Sequence, residues 1–320
     1  MLKNQKKFIL FTLAGLFLLN VLAWIAVFDL SKPRFLEVNF FDIGQGDAIF
    51  IETPQYHQIL IDGGSTSAIL EKLGKEMPFW DKSIDLIILT HLERDHMAGL
   101  IEVLKEYKVE NILWTGIIRD TVEFKEWHDL LEKEKAKIFI AKTGQRITFS
   151  RRPGLVDKYI DILHPFENLA GKEFKDSNDN SIVSKLTFGQ PPFLFTGDIS
   201  KSVEKELVIR ENSCVNSPAP YRTEGSGTGC ELARLKSDVL KVAHHGSKTS
   251  SSEEFLKEVL PEIAIIQVGK NSYGHPHSEI LERLENFGIR ILRTDQIGDI
   301  KIISDGKNLK ISNLKTILND

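Results

Sequence analysis

The chain predicts an α/β fold: a mixed β-sheet system with helices packed on its outside, behind one N-terminal membrane-spanning helix. Three observations carry this. Short runs rich in β-branched residues, such as 84–89 and 263–268, end in clusters of Asp, His and Gly and read as buried strands. Hairpin-like strands come first and strand–helix alternation follows, which indicates a mixed sheet covered by helices. At the front, Lys3, Lys6 and Lys7 precede an apolar segment, 8–28, in which Asn20 is the one strongly polar side chain. About twenty such residues span a bilayer core.

The apolar segment has no small-x-small cleavage site before Asp29, so an uncleaved anchor over 1–30 is expected, with a secreted chain as the alternative. The positive-inside rule then keeps the N-terminus cytoplasmic and exports everything after the linker 31–34. Residues 35–320 contain no fixed-period repeat and no long linker, and read as one domain. The whole chain of 320 residues is 42% hydrophobic and 27% charged, an ordinary globular composition. Its net charge of -4 excludes a wholly basic nucleic-acid platform, so a polyanion would need a local site or bound cations.

Taken in order, strands are expected at 35–43 and 48–52, joined by the turn Gly44-Gln45-Gly46-Asp47, and at 58–62, ending in Asp62-Gly63-Gly64. A helix over 66–74 leads to the strand 84–89. Thr90-His91-Leu92-Glu93-Arg94-Asp95-His96 follows as a strand-to-helix loop, and a helix runs from 98 to 107. Beyond a strand at 111–115, the pattern gives a helix over 124–137 and strands at 138–149 and 159–164. Asn180-Ser181 precedes a strand at 182–188, and Pro191-Pro192 turns the chain into 193–198, ending in Asp198. A helix over 200–210 and a Ser-, Gly-, Pro- and Thr-rich segment lead to a strand at 238–243, which ends in His244-His245-Gly246-Ser247. The last third alternates again: helix 253–259, strand 263–268, the segment Tyr273-Gly274-His275-Pro276-His277, a helix to 287 and strands to 311.

The two cysteines, Cys214 and Cys230, flank that small-residue segment. In an exported domain a disulfide closing it is expected to contribute about 3 kcal/mol; two free thiols are the alternative. Neither has metal-ligand spacing.

Asp62, His91 to His96, Asp198 and His244 or His245 all fall at the C-terminal ends of predicted buried strands, where one sheet system brings distant positions to one edge. Imidazole and carboxylate donors without thiolates suit zinc, manganese or iron, and a bridging carboxylate permits a dinuclear site. Hydrolysis is the chemistry such a site performs. For Asp62 a hydrogen-bonding role beside the ligands is expected; His57, His128 and His164 read as structural or surface residues.

His91-x-Glu93-x-Asp95-His96 resembles the His-x-His-x-Asp-His motif of the metallo-β-lactamase superfamily, and is similar to the His-Pro-Asp-Ala-Asp-His of its ComEC-type branch. The segments 42–47, 60–64, 180–181, 196–198, 244–247 and 273–277 resemble that branch's other signatures in the same order, over roughly 36–311. The resemblance implies an αββα sandwich of two mixed sheets flanked by helices. It also implies one or two divalent ions, Zn or Mn: His91 and Glu93 serve one position, and Asp95, His96 and a histidine of the His244–His245 pair the other, with Asp198 bridging. His245 is preferred because it precedes a glycine. Glu93 and Asn180 stand where others place histidines, which disfavours β-lactam hydrolysis. Asp95, His275 and His277 are the expected catalytic groups, the last two contacting a substrate phosphate or delivering a proton. Asp47, Asn180, Ser247 and Lys248 are expected beside the ligands or the substrate.

In function, the resemblance implies a metal-dependent hydrolase of phosphodiesters, with DNA as substrate. The chain has one apolar segment and no polytopic channel, so translocation is expected to need a separate uptake channel. A phosphorylcholine-type esterase, or a noncatalytic metal-binding accessory module of DNA uptake or the envelope, is the alternative.

Overall fold

In the computed structural model of the protein, residues 2–31, 34–149, 158–215 and 235–312 are described. The chain divides into two compact units, Met1–Phe35 and Leu36–Asp320. The first is the helix α1 (Leu2–Ser31), and its stretch Gln5–Trp24 is long and apolar enough to cross a membrane.

In the second unit the strands β1 (Leu36–Phe40), β2 (Ile49–Glu52) and β3 (Gln58–Ile61) form an antiparallel meander. The helix α2 (Ala68–Glu76) then crosses to β4 (Ser83–Ile88), the helix α3 (Arg94–Glu106) to β5 (Lys108–Trp114), and α4 (Val122–Lys133) to β6 (Lys137–Ile140). From β3 onward the neighbouring strands are parallel, as crossover helices require.

A second sheet starts with β7 (Arg146–Thr148), β8 (Lys158–His164), β9 (Val183–Phe188) and β10 (Phe193–Phe195), all antiparallel. It continues through α5 (Lys201–Val215), β11 (Val239–Lys241), α6 (Glu253–Val259), β12 (Ile263–Ile266), α7 (Ser278–Asn286) and β13 (Arg290–Arg293), its last four strands parallel. The short helix α8 (Thr294–Ile297) returns the chain to the first sheet, where β14 (Ile300–Ser304) and β15 (Leu309–Ser312) pair beside β1. The result is an eight-stranded sheet in the order β15-β14-β1-β2-β3-β4-β5-β6 and a seven-stranded sheet in the order β13-β12-β11-β10-β9-β8-β7.

Three apolar layers hold this arrangement. Leu36, Val38, Phe40, Ile49, Ile51, Ile59 and Ile61 alternate inward from the first sheet and meet Ile160, Leu186, Phe193, Phe195 and Val239 from the second. The outer face of the first sheet, with Phe50, Leu60 and Ile87, packs on Ile69, Leu73, Leu100 and Trp127 of its helices. Leu194, Leu240 and Ile266 of the second pack on Leu207, Phe255, Leu256 and Leu284. The architecture is therefore the expected αββα sandwich.

Three sequence expectations are corrected. The strand expected over 138–149 is two strands, β6 and β7, in different sheets: the chain turns at Thr143-Gly144, where Gly144 has φ +89°, and crosses the sandwich. The helix expected from Ala98 begins at Arg94, so Asp95 and His96 sit on its first turn and not in a loop. The helix expected to reach Lys137 ends at Lys133, and Lys137 opens β6. The proposed Cys214–Cys230 pairing lies outside the described residues, because Cys230 and the Cys214 side chain do.

Candidate metal centre

The C-terminal ends of β3 and β4 in one sheet, and of β10 and β11 in the other, open onto the same edge of the sandwich. Asp62 follows β3; Thr90 and His91 follow β4; His96 comes from the first turn of α3. Asp198 follows β10 through the turn at Gly197, and His245 follows β11. Helix α3 is pinned over this edge by paired close approaches: Gly63 N–H donates to His96 O and Gly99 N–H to Gly64 O, both at 2.8 Å. A Cβ on Gly99 would overlap the Gly63 backbone, so this contact needs glycine.

The cluster is tight and buried. His91, His96 and His245 are at most 1% exposed, and Asp198 is 3% exposed. Around Asp198 Oδ2 stand His96 Nε2 at 3.3 Å, His245 Nε2 at 3.4 Å, and His91 and His244 Nε2 at 4.0 Å. Asp95 Oδ2 lies 3.4 Å from His245 Nε2.

Each buried imidazole is oriented from behind by its other nitrogen. His91 Nδ1 meets Thr90 Oγ1 at 3.0 Å, His96 Nδ1 meets Asp62 Oδ2 at 2.8 Å, and His245 Nδ1 meets Gln267 O at 2.8 Å. Thr90 in turn donates its N–H and its hydroxyl to Asp62, at 2.8 and 2.6 Å. These bonds place the proton on Nδ1 and leave Nε2 as a donor of electrons. The Nε2 atoms of all three rings, with Oδ1 of Asp198, are buried and make no hydrogen bond. Buried polar atoms are rarely left so, and a group of them facing one point is what a cation satisfies. Sets of three donors within 4.8 Å of one another include His91–His96–Asp198 and Asp95–His96–His245. The residues fit a divalent ion.

Without an ion, the charges of the cluster act on one another. Burial opposes charge on His96 and His245, yet Asp198 with Asp62 or Asp47 raises both imidazoles well above the ordinary histidine range. Burial and the neighbouring His96 hold His91 well below it. Burial would raise Asp198, but His245, His96 and Lys241 hold its carboxyl well below the usual range.

Lys241, to which the sequence reading assigned no role, is 1% exposed beneath this cluster. Its ammonium is in close contact with Asp47, lies 3.5 Å from Asp198 Oδ1 and donates to Gly197 O at 3.1 Å. Asp47 is 2% exposed, and its backbone N–H donates to Asp95 O at 3.2 Å. Ser181 Oγ accepts the Asp198 N–H at 3.0 Å, and Gln267 Nε2 donates to Phe41 O and Ala48 O, tying the loops together. The signal for Lys241 was a lysine inside an apolar strand just before the histidine pair; for Ser181 it was its place beside Asn180.

Other candidates lie elsewhere. Glu93 turns out of the cluster: its Oε1 accepts from Arg119 Nη1 at 2.7 Å and from Ser177 Oγ at 3.0 Å. Asn180 donates to Asp176 O at 3.4 Å. Lys248 is exposed, and Ser247 Oγ meets Thr249 Oγ1 at 3.0 Å. His244 is partly exposed on the rim, with His275 at a ring distance of 5.4 Å and His277 a further 5.3 Å beyond it. Burial, with His244, His245 and His277, pushes His275 down to about 4. His164 is buried and its Nδ1 meets Ser181 O at 2.7 Å.

An Asp62→Asn substitution is expected to weaken metal affinity by about 10- to 100-fold while leaving the fold intact, because it removes the carboxylate that orients His96. Isothermal titration of the metal-free protein reads this; an unchanged affinity would contradict the role given to Asp62.

A buried cluster of histidine and aspartate at one edge of an αββα sandwich defines the class, and residues 42–270 match the family model described as "Metallo-beta-lactamase superfamily". The chain belongs to the metallo-β-lactamase superfamily. Within it, the chain is similar to competence proteins. It is 32% identical over 284 residues to "ComE operon protein 3" of Bacillus subtilis, covering 83% of this chain and 32% of that protein. It is 28% identical over 266 residues to "Competence protein ComA" of Neisseria gonorrhoeae, covering 82% of this chain and 32% of that one. It is also 28% identical over 297 residues to "Recombination protein 2" of Haemophilus influenzae, covering 90% and 31%. The chain thus spans about a third of the length of these curated relatives. Among solved structures, the metallo-β-lactamase fold protein YhfI of Bacillus subtilis matches with a TM-score of 0.50 at 14% identity, over 87% of this chain and 100% of that one, a likeness of fold.

Proposed function

We propose that this chain is a membrane-anchored, metal-dependent phosphodiesterase that acts on DNA outside the cytoplasmic membrane. The observation that carries the hydrolase reading is the convergence of three oriented, unpaired Nε2 atoms on Asp198. The names of the relatives, competence and recombination proteins, support DNA as the substrate. The apolar stretch Gln5–Trp24 supports the anchor, and the lysines before it support a cytoplasmic N-terminus.

Asp95, His96, His245 and Asp198 would hold a divalent ion, zinc or manganese, with His91 beside them. Such an ion supplies Lewis acidity at a phosphoryl oxygen and makes water a usable nucleophile at neutral pH. The chain's own residues do the rest. Asp62 and the Gln267 carbonyl fix the ring orientations, and Lys241 balances the carboxylates from below. His244, His275 and His277 line the rim, where a neutral imidazole can hold or pass a proton at the leaving oxygen. A phosphate backbone brings its negative charge to an edge carrying the ion and these imidazoles, and a separate channel protein would carry DNA across the membrane.

The full chain in detergent, supplied with Mn²⁺ or Zn²⁺, is expected to cleave single- or double-stranded DNA and a generic aryl phosphodiester, and to stop on chelation. Hydrolysis of phosphorylcholine esters alone would move the assignment to an esterase. No cleavage of any of these substrates with either metal would sink the enzyme reading.

A further inference from the structure

The edge of the first sheet remote from the metal centre carries an aromatic group that the chemistry does not use. β1, β3, β4, β5 and β6 all run the same way, since β1 and β3 are each antiparallel to β2 and the rest are parallel. Their C-terminal ends bear Asp62 and His91; their N-terminal ends therefore share the opposite edge. That edge lies about 20 Å away along β4, at about 3.3 Å per residue. There the β2–β3 turn presents Tyr56, 53% exposed, and the segment before β4 presents Phe79 and Trp80, 85% and 73% exposed. Phe79 and Trp80 stack edge to face at 4.8 Å, between exposed Pro78 and half-buried Asp81. Gln58 Nε2, at the start of β3, donates to Asp81 Oδ2 at 3.0 Å, so the turn carrying Tyr56 and the segment carrying the pair are neighbours on this edge. The other tryptophans of this unit, Trp114 and Trp127, are buried.

Contiguous exposed aromatics on a folded unit mark a contact surface, and three facts on this chain select its occupant. The first strand after the apolar helix, β1, starts on this same edge, at Leu36. The stretch Gln5–Trp24 upstream is long and apolar enough to cross a bilayer. The group combines Phe with Trp and Tyr, and the last two have an apolar body and a polar tip that favour the headgroup layer over a protein core. We infer that Tyr56, Phe79 and Trp80 rest in the headgroup region of a phospholipid membrane, so that the metal centre, at the opposite edge, faces away from the lipid. The inference rests on the membrane-anchor part of the proposed function and is independent of the phosphodiesterase part.

The full chain is reconstituted into nanodiscs of phosphatidylethanolamine and phosphatidylglycerol, with and without phospholipid brominated near the headgroup, and tryptophan emission is recorded. Trp24→Phe leaves Trp80 as the one exposed tryptophan of the four at positions 24, 80, 114 and 127. Its exposed-tryptophan emission is expected to fall by about half with brominated lipid, as for an interfacial side chain. The fall is expected to vanish in Trp24→Phe/Trp80→Phe. Quenching of the wild type that disappears entirely in Trp24→Phe means that the helix inserts and this edge does not touch lipid, which overturns the inference. Absence of quenching in both overturns the inference and the anchor together. An unquenched Trp80 whose emission shifts to the blue with rising protein concentration assigns the face to a second copy and likewise overturns it. DNA cleavage measured on the same samples reports the catalytic reading separately.

Discussion

His96→Ala is expected to strip the divalent ion from the protein and to lower hydrolysis by about a hundredfold or more, because the ring serves two donor sets and is the one ligand oriented by Asp62. His91→Ala is expected to behave differently, retaining a single tightly held equivalent. The position that His91 would serve is poorly furnished: Glu93 is held by Arg119 and Ser177, and Asn180 is turned to Asp176. That leaves His91 with Asp198 and a share of His96, whereas Asp95, His96 and His245 would form a set at the other position, with Asp198 3.4 Å from His245. Metal content after dialysis, measured by mass spectrometry, separates the two variants; equal loss in both would refute the asymmetry. Affinity is also expected to fall as pH falls. Against burial, Asp198 with Asp62 or Asp47 raises His96 and His245 well above the ordinary histidine range, so protons compete with an ion for their Nε2 atoms.

Lys241→Met is expected to destabilise the fold by about 3–5 kcal/mol, since it leaves Asp47 charged and buried without its partner. Asp47→Asn/Lys241→Met is expected to recover most of that loss, because removing both charges also removes their desolvation. Burial raises the Asp47 carboxyl, but Lys241 and His245 outweigh it and hold it below its ordinary 3.8. The pair's contribution on this side is present above about pH 4 and is lost as pH falls through the lower folded value. Burial disfavours the Lys241 ammonium, but Asp47 and Asp198 raise it above its ordinary 10.5. On this side the contribution is complete below that ordinary value and is lost as pH rises through the higher folded one. Urea denaturation of the wild type and the two variants measures these differences; a single variant within 1 kcal/mol of the wild type, about the size of one ordinary surface change, would refute the role of the pair.

The strand tips were legible because buried strands in parallel surroundings are unbroken apolar runs, and polar residues at their ends stand out: Asp62 after β3, His91 after β4, Asp198 after β10 and His245 after β11. What was hidden depends on contacts between distant positions. A lysine in an apolar strand reads as a solvent-facing residue, and only the fold puts Asp47 against Lys241. Glu93 was grouped with the donors by its place in the 91–96 stretch and by the resemblance, and its partner Arg119 lies on a loop beyond β5 with no pattern of its own. The start of α3 escaped for a local reason. Its first residue follows Glu93, whose side chain makes no capping hydrogen bond, so the Ser, Thr, Asp or Asn that usually announces a helix is missing. At 142–146 no apolar side chain occurs and Gly144 marks a turn, a sign that was passed over; what the sequence does not carry is that the strand after the turn joins the other sheet.

The candidate donors come from both layers of the sandwich: His91 follows β4 and His96 sits on α3, packed on the same sheet, whereas Asp198 and His245 follow strands of the other. An ion held by all of them would act as a rivet through the edge where the layers part. Its grip and the cohesion of the layers are then one thermodynamic quantity, since an ion that binds only the closed sandwich adds its binding free energy to folding, about 2.7 kcal/mol at a free concentration one hundred times the dissociation constant. Metal supply would therefore govern how long the enzyme lasts as well as how fast it turns over.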